Sequence, residues 1–135
     1  MTASSAKRVL VTGASGHLGR WACHRLVSDG WSVIAASRSG AVPDAPFGQT
    51  AVSMEALKLD LGSDAAVDVL KGALTPGMRV VHLAAWHPPA TASTGPDERR
   101  VLIETNVLGT MRLLDAAKDA GSPHVVYAST FEVYG

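Results

Sequence analysis

The stretch Val9-Leu10-Val11-Thr12-Gly13-Ala14-Ser15-Gly16-His17-Leu18-Gly19 constrains the fold more than any other part of the chain. The apolar run Val9 to Val11 reads as a buried strand. Leu18, Ala22 and Leu26 then recur at helical spacing until Gly30 closes the element. Three glycines, one at every third residue, therefore sit where a strand hands over to a helix N-terminus. Gly13 permits a tight turn, Gly16 lets the backbone approach a pyrophosphate, and Gly19 lets the helix lie close on the sheet. Unpaired N–H groups and the helix dipole attract an anion at such a turn, which brings Ser15, His17 and Leu18 into its surroundings. No Lys-Ser or Lys-Thr follows the last glycine, so the turn lacks what a nucleoside-triphosphate P-loop requires.

At 135 residues the chain is one domain, with a sizeable core but little room for separate cofactor and substrate halves. Twelve basic and twelve acidic residues cancel. No long-range field then argues for nucleic acid or an anionic membrane surface, and the expected partners are small molecules or protein. Cys23 is the single cysteine and reads as a small buried filler, so there is no disulfide framework and a reducing cytoplasm fits. Residues 1 to 6 lack the apolar core of a signal peptide, and no apolar run reaches the roughly eighteen residues of a membrane span. No metal site is expected.

Apolar runs alternate with helical patterns along the whole chain, the mark of successive βαβ units and a parallel sheet covered on both faces. Strands are expected near 7 to 12, 31 to 36, 54 to 59, 79 to 84 and 123 to 128, with helices near 17 to 29, 63 to 73 and 97 to 120. The segments Ser39 to Thr50 and Pro88 to Pro96 are too rich in Gly and Pro for regular helices. In the long helix, Ile103, Val107, Thr110 and Leu114 make one stripe and Val101, Leu108 and Leu113 another, more apolar surface than one sheet contact needs. Ligands of such sheets bind outside the carboxyl ends of the strands. Gly13, Arg38, Asp60, Ala84 with Ala85, and Ser129 with Thr130 follow the five strands in turn.

The phrase from Thr12 to Gly19 resembles the cofactor turn of the short-chain dehydrogenase/reductase superfamily, in particular its extended branch of NAD(P)-dependent epimerases and dehydratases. The resemblance implies a Rossmann-type, doubly wound α/β fold, here one dinucleotide-binding domain over residues 1–135 that ends after the fifth strand. At the end of the second strand such folds carry a carboxylate for a free ribose 2′-hydroxyl or an arginine for a 2′-phosphate. Ser37-Arg38 stands there, a hydroxyl beside a planar fork of donors, and favours NADP over NAD. A solvated loop arginine is the plainer reading of Arg38. Asp60-Leu61 resembles the pair that contacts adenine, although an aspartate there is equally suited to cap a helix.

Val81-His82-Leu83-Ala84-Ala85 resembles the family's segment after the fourth strand, where small residues admit the ribose and nicotinamide half of the cofactor. His82 itself reads as a satisfied core histidine, while the resemblance turns Trp86 and His87 toward cofactor and substrate. Ile103-Glu104-Thr105-Asn106-Val107-Leu108-Gly109-Thr110 matches the family's long helix. Its Asn ties that helix to the neighbouring strand and its preceding residue, here Thr105, lies near the cofactor. A mid-helix Asn and Gly are locally costly, which suits a special role.

Val125 to Gly135, with Ser129-Thr130-Phe131-Glu132-Val133-Tyr134-Gly135, resembles the fifth strand and active-site loop of the extended branch. Aligned on Val-Tyr-Gly, Thr130 takes the position of the catalytic Ser or Thr that bonds the reacting oxygen during hydride transfer. Ser129 is its neighbour near the nicotinamide. The strings look most like nucleotide-sugar 4,6-dehydratases, but the acid that follows the Thr in those enzymes is replaced by Phe131, which cannot exchange protons. Glu132 is then the candidate base, and a reductase, epimerase or dehydrogenase of a sugar-like alcohol or ketone is favoured over a dehydratase.

The family's Tyr-x-x-x-Lys pair does not occur among these residues: Phe131 stands four after Tyr127, and one residue follows Tyr134. The expectation is therefore the N-terminal part of a longer enzyme, inactive as it stands. The alternative is a cofactor-binding or redox-sensing module that never reacts. The family pairs its long helix across a two-fold axis, so a homodimer is expected through the stripe around Val101, Leu108 and Leu113.

Overall fold

The structure is a computed structural model and describes residues 7–89, 95–122, 124–130 and 134. Five parallel strands form one sheet: β1 (Arg8–Thr12), β2 (Ser32–Ser37), β3 (Glu55–Lys58), β4 (Arg79–His82) and β5 (His124–Tyr127), in spatial order β3-β2-β1-β4-β5. The helices are α1 (His17–Ser28), α2 (Ala66–Ala73), α3 (Pro96–Leu102) and α4 (Gly109–Asp119). Between α3 and α4, residues Ile103–Leu108 continue the same rod as a π-helical segment. The strand order reverses on either side of β1, and this is the Rossmann-type doubly wound arrangement.

Alternation along the strands sorts the core into two layers. Leu10, Ile34, Ala36 and Val80 face α2 and α4, where Leu70, Leu113, Ala116 and Ala117 complete the packing. Val9, Val11, Val33 and Ala35 face α1 and close on Cys23 and Ala14. Residues 39–54 contain no helix or strand, as their Gly and Pro content requires. They run beside α1, where His24 Nε2 bonds the Thr50 carbonyl at 3.0 Å.

Several boundaries and faces differ from expectation. α2 starts at Ala66, after a turn in which Ser63 N–H bonds the Asp60 carbonyl at 3.1 Å. Pro96 opens α3 instead of ending a loop, because a proline at the first helical position loses no hydrogen bond. Leu18 is not on the inward stripe of α1: it is 58% exposed, while Gly19 and Cys23 face the sheet. Bringing the helix backbone this near the turn leaves space inward only for small residues.

Leu113 is likewise not on a free surface. It is fully buried against the α2 layer, and Thr110 also turns inward. Val101 and Leu108 of the expected stripe are exposed, together with the row Ile103, Val107, Met111 and Leu114, and Leu113 turns inward because the inner face of α4 is fixed by Gly109, Leu113, Ala116 and Ala117. Among the described residues no helix is long and apolar enough to cross a membrane.

Candidate dinucleotide site

The carboxyl ends of β1 to β4 open into one cleft of about 230 Å³. Gly13, Ser15 and Gly16 form one wall, Ala36, Ser37 and Arg38 the next, then Leu59, Asp60 and Leu61, and finally Leu83, Ala84, Ala85 and Trp86 with Thr105 from the π segment. These residues are far apart in sequence. Parallel strands bring them together because each strand delivers its exit loop to the same edge of the sheet.

The three glycines of the turn do three different things. Gly13 takes φ +70°, in the left-handed region, and a Cβ on it would lie 2.7 Å from Ala84 N, so the turn is pressed against the exit of β4. A Cβ on Gly19 would meet the Gly13 carbonyl oxygen at 2.1 Å, so the helix is seated directly on the turn. Gly16 is different: at φ −70° and ψ 170° its backbone suits any residue, and its nearest obstacle is the Gly13 oxygen at 3.2 Å. It lines the cleft. His17, Leu18 and Gly19 do not line it with side chains, but their N–H groups are the first of α1 and lack intrahelical acceptors. Gly16 has no side chain to cap them. Free N–H groups at a helix N-terminus are anion donors.

At the second wall Arg38 is exposed and makes no ion pair among the described residues. Ser37 is buried, and its hydroxyl bonds Ser39 Oγ at 3.1 Å and accepts the Gly40 N–H at 3.2 Å. Ser37 therefore shapes the corner from which Arg38 projects. At the third wall Asp60 Oδ1 accepts the Gly62 N–H at 3.1 Å, an Asx turn. It does not cap α2, whose N-cap is Ala65. Arg112, which sequence reading did not single out, holds this wall from behind by donating to the Leu61 carbonyl at 3.0 Å and to Asp64 at 2.6 Å.

Asn106 does not line the cleft. Its Oδ1 accepts the Trp86 N–H at 2.7 Å and its Nδ2 donates to the Trp86 carbonyl at 2.8 Å, so it ties the π segment to the loop after β4. The costly mid-helix Asn was the signal for this local departure from α geometry. His82 is buried between Thr12 Oγ1, 2.6 Å from Nδ1, and Thr110 Oγ1, 2.9 Å from Nε2, and desolvation lowers its pKa to about 4.

Ser129 and Thr130 follow β5, exposed, at the same end of the sheet but outside the cleft lining. Phe131 and Glu132 lie outside the described residues. Ala36, Leu59 and Trp86 complete the cleft wall. Ala36 and Leu59 carry no sequence signal beyond their place at strand ends. No group of three or more His, Cys, Asp or Glu residues placed to hold a metal occurs among the described residues.

The fold is shared with known proteins. Over 131 residues the chain is 33% identical to a UDP-glucose 4-epimerase from Mycolicibacterium smegmatis, covering 95% of this chain and 40% of that protein. It is 34% identical over 140 residues to a dTDP-glucose 4,6-dehydratase from Streptomyces antibioticus, covering 94% and 38% respectively. The solved structure of a short-chain dehydrogenase/reductase superfamily protein from Agrobacterium tumefaciens with bound NAD superposes with a TM-score of 0.68 at 33% identity. That match covers 94% of this chain and 34% of the other. The chain thus spans about 40% of the length of the curated relatives it matches. The model of the NAD dependent epimerase/dehydratase family matches residues 9–135. With a family model matching nearly the whole chain, the chain belongs to the NAD dependent epimerase/dehydratase family.

Proposed function

We propose that this chain binds NADP(H) in the cleft at the strand ends and forms the cofactor half of an oxidoreductase or epimerase of a sugar-like alcohol or ketone. The observation that carries the reading is Gly16, whose backbone needs no glycine but whose missing side chain leaves the cleft open beside the free N–H groups of α1. A pyrophosphate fits that cradle. When bound, the nicotinamide supplies hydride transfer. Thr130, at the family's hydroxyl position, would bond the reacting oxygen, and Glu132 would be the base. The epimerase and dehydratase names of the curated relatives support the sugar-like substrate class.

The preference for NADP rests on Arg38, an unpaired guanidinium at the corner of the cleft where no carboxylate of the second strand repels a 2′-phosphate. The expected result is that NADP(H) binds at least about tenfold tighter than NAD(H), about 1.4 kcal/mol, in parallel fluorescence titrations. Arg38→Ala should remove the difference. Equal affinities in the wild type would overturn the preference, and no binding of either nucleotide would overturn the function. A single buried thiol suits a reducing cytoplasm. A second copy docking on the exposed apolar residues of the long helix, Val101 and Leu108 of the expected stripe with the row Ile103, Val107, Met111 and Leu114, is the reading for its apolar excess.

A further inference from the structure

Hydrogen bonds run in series from the phosphate turn to the Trp86 loop, and His82 is their centre. Thr110 donates its hydroxyl proton to the Asn106 carbonyl at 2.7 Å. Its 2.9 Å contact with His82 Nε2 must then have the ring nitrogen as donor. On the other side of the ring, Thr12 Oγ1 accepts the Ala84 N–H at 3.3 Å and lies 2.6 Å from Nδ1. A neutral ring protonated at Nε2 leaves Nδ1 as an acceptor, so the Thr12 hydroxyl donates to it. Every donor in the series meets an acceptor, and only this tautomer achieves it.

The ends of the series are two walls of the cleft, the Gly13 turn and the exit of β4 with the π segment. Thr12 precedes Gly13, Ala84 belongs to the exit of β4, and Asn106, next to Thr105, closes on both main-chain atoms of Trp86. The carbonyl of His82 also accepts the N–H of Ala128, two residues before Thr130, at 3.1 Å. An apolar side chain of equal size would fill the same space but would leave the buried Thr12 hydroxyl without its acceptor.

We propose that His82 is a positioning residue for the dinucleotide: by accepting from Thr12 and donating to Thr110 it sets the gap between the Gly13 turn and the π segment, and through Asn106 the place of the Trp86 loop. The proposal rests on the reading of the cleft as a nicotinamide dinucleotide site.

The test separates the relay from packing by using the isosteric pair at Thr110. Binding of NADPH and NADH is titrated by fluorescence for the wild type, Thr110→Val, Thr110→Ser and His82→Leu, with melting temperatures measured alongside. Leu74→Ala, at the far end of the α2 layer, serves as a control for lost stability alone. Thr110→Val should weaken binding of the preferred nucleotide at least tenfold, Thr110→Ser should return it to within twofold of wild type, and Leu74→Ala should melt lower with affinity kept. If Thr110→Val binds as the wild type does, or loses no more affinity than Leu74→Ala, the positioning role is wrong even though the cleft binds nucleotide. If the wild type binds neither nucleotide, the reading of the cleft fails and takes this inference with it. The Thr110 pair decides the matter even if His82→Leu does not fold.

Discussion

Gly19 and Gly13 are packed so closely that a methyl group on the first would stand 2.1 Å from the carbonyl oxygen of the second. The obstacle is backbone on both sides, the carbonyl of Gly13 and the Cα of Ala14, so neither partner can rotate away. Gly19→Ala should therefore force α1 off the turn and cost about 1–3 kcal/mol, as overpacking of a filled core does. The check is a denaturant titration with the slope unchanged and the midpoint lowered. An unchanged midpoint would mean that the helix can shift at no cost.

Gly16→Val should behave in the opposite way. Its backbone lies in the extended region that a branched residue accepts, and only the Gly13 oxygen at 3.2 Å must give slightly. Stability should fall by no more than about 1 kcal/mol, the usual cost of replacing a favoured helix N-cap residue by an apolar one. Binding of both nucleotides should be lost in the same fluorescence titration, because the side chain occupies the pyrophosphate cradle.

Cys23 is fully buried beneath the sheet face formed by Val9, Val11 and Ala35, and burial raises its pKa to about 11. The thiolate is the reactive form. At pH 8 the folded protein should give almost no colour with a disulfide thiol reagent over minutes, and one equivalent immediately in denaturant. Rapid reaction without denaturant would show that α1 opens readily from the sheet.

The buried imidazole of His82 makes stability depend on pH with a definite sign. Its pKa falls from 6.5 to about 4 on folding because desolvation disfavours the charged ring. Above pH 6.5 both states are neutral and the full stability is present. As the pH falls toward 4 the unfolded chain takes up a proton that the folded chain refuses, so stability drops by up to about 1.4 kcal/mol per pH unit. Unfolding titrations between pH 7 and 4 should show this slope in the wild type and a shallower one in His82→Leu. Equal slopes would assign the acid loss to carboxylates.

The two neighbours Leu113 and Leu114 should respond differently to truncation. Leu113 is fully buried against the α2 layer, and Leu113→Ala should cost about 2–5 kcal/mol. Leu114→Ser and Met111→Ser lie on the exposed row and should change monomer stability by less than about 0.5 kcal/mol. Sedimentation velocity at rising concentration should show association in the wild type and its loss in the exposed-row variants. A wild type that stays monomeric throughout would remove the case for docking on this row.

The order of elements, the parallel sheet and the glycine turn were legible in the sequence because they depend on local chemistry. Short apolar runs and period-3.6 apolar patterns, together with glycines at a strand-to-helix junction, fix each element and its connection before any long-range contact forms. The strand exits Gly13, Arg38, Asp60 and Ala84 could be listed for the same reason, and the parallel topology brings all four to one cleft. Orientation within elements was not legible. Leu18 and Leu113 have the composition of either face, and only the close seating of α1 through Gly19, and of α4 through Gly109 and Ala116, decided which residues turned inward. The π geometry of Ile103–Leu108 and the role of Arg112 also waited for the tertiary structure, whereas the clasp of Asn106 was implied by the family resemblance and the Asx turn at Asp60 spans only two residues. Arg112 reaches the Leu61 carbonyl and Asp64 across 51 and 48 residues, a meeting of two elements that no local pattern encodes. His82 shows the division most clearly. The sequence marked it as a buried, satisfied histidine, and the fold alone supplied the two threonines, 70 and 28 residues away, that satisfy it.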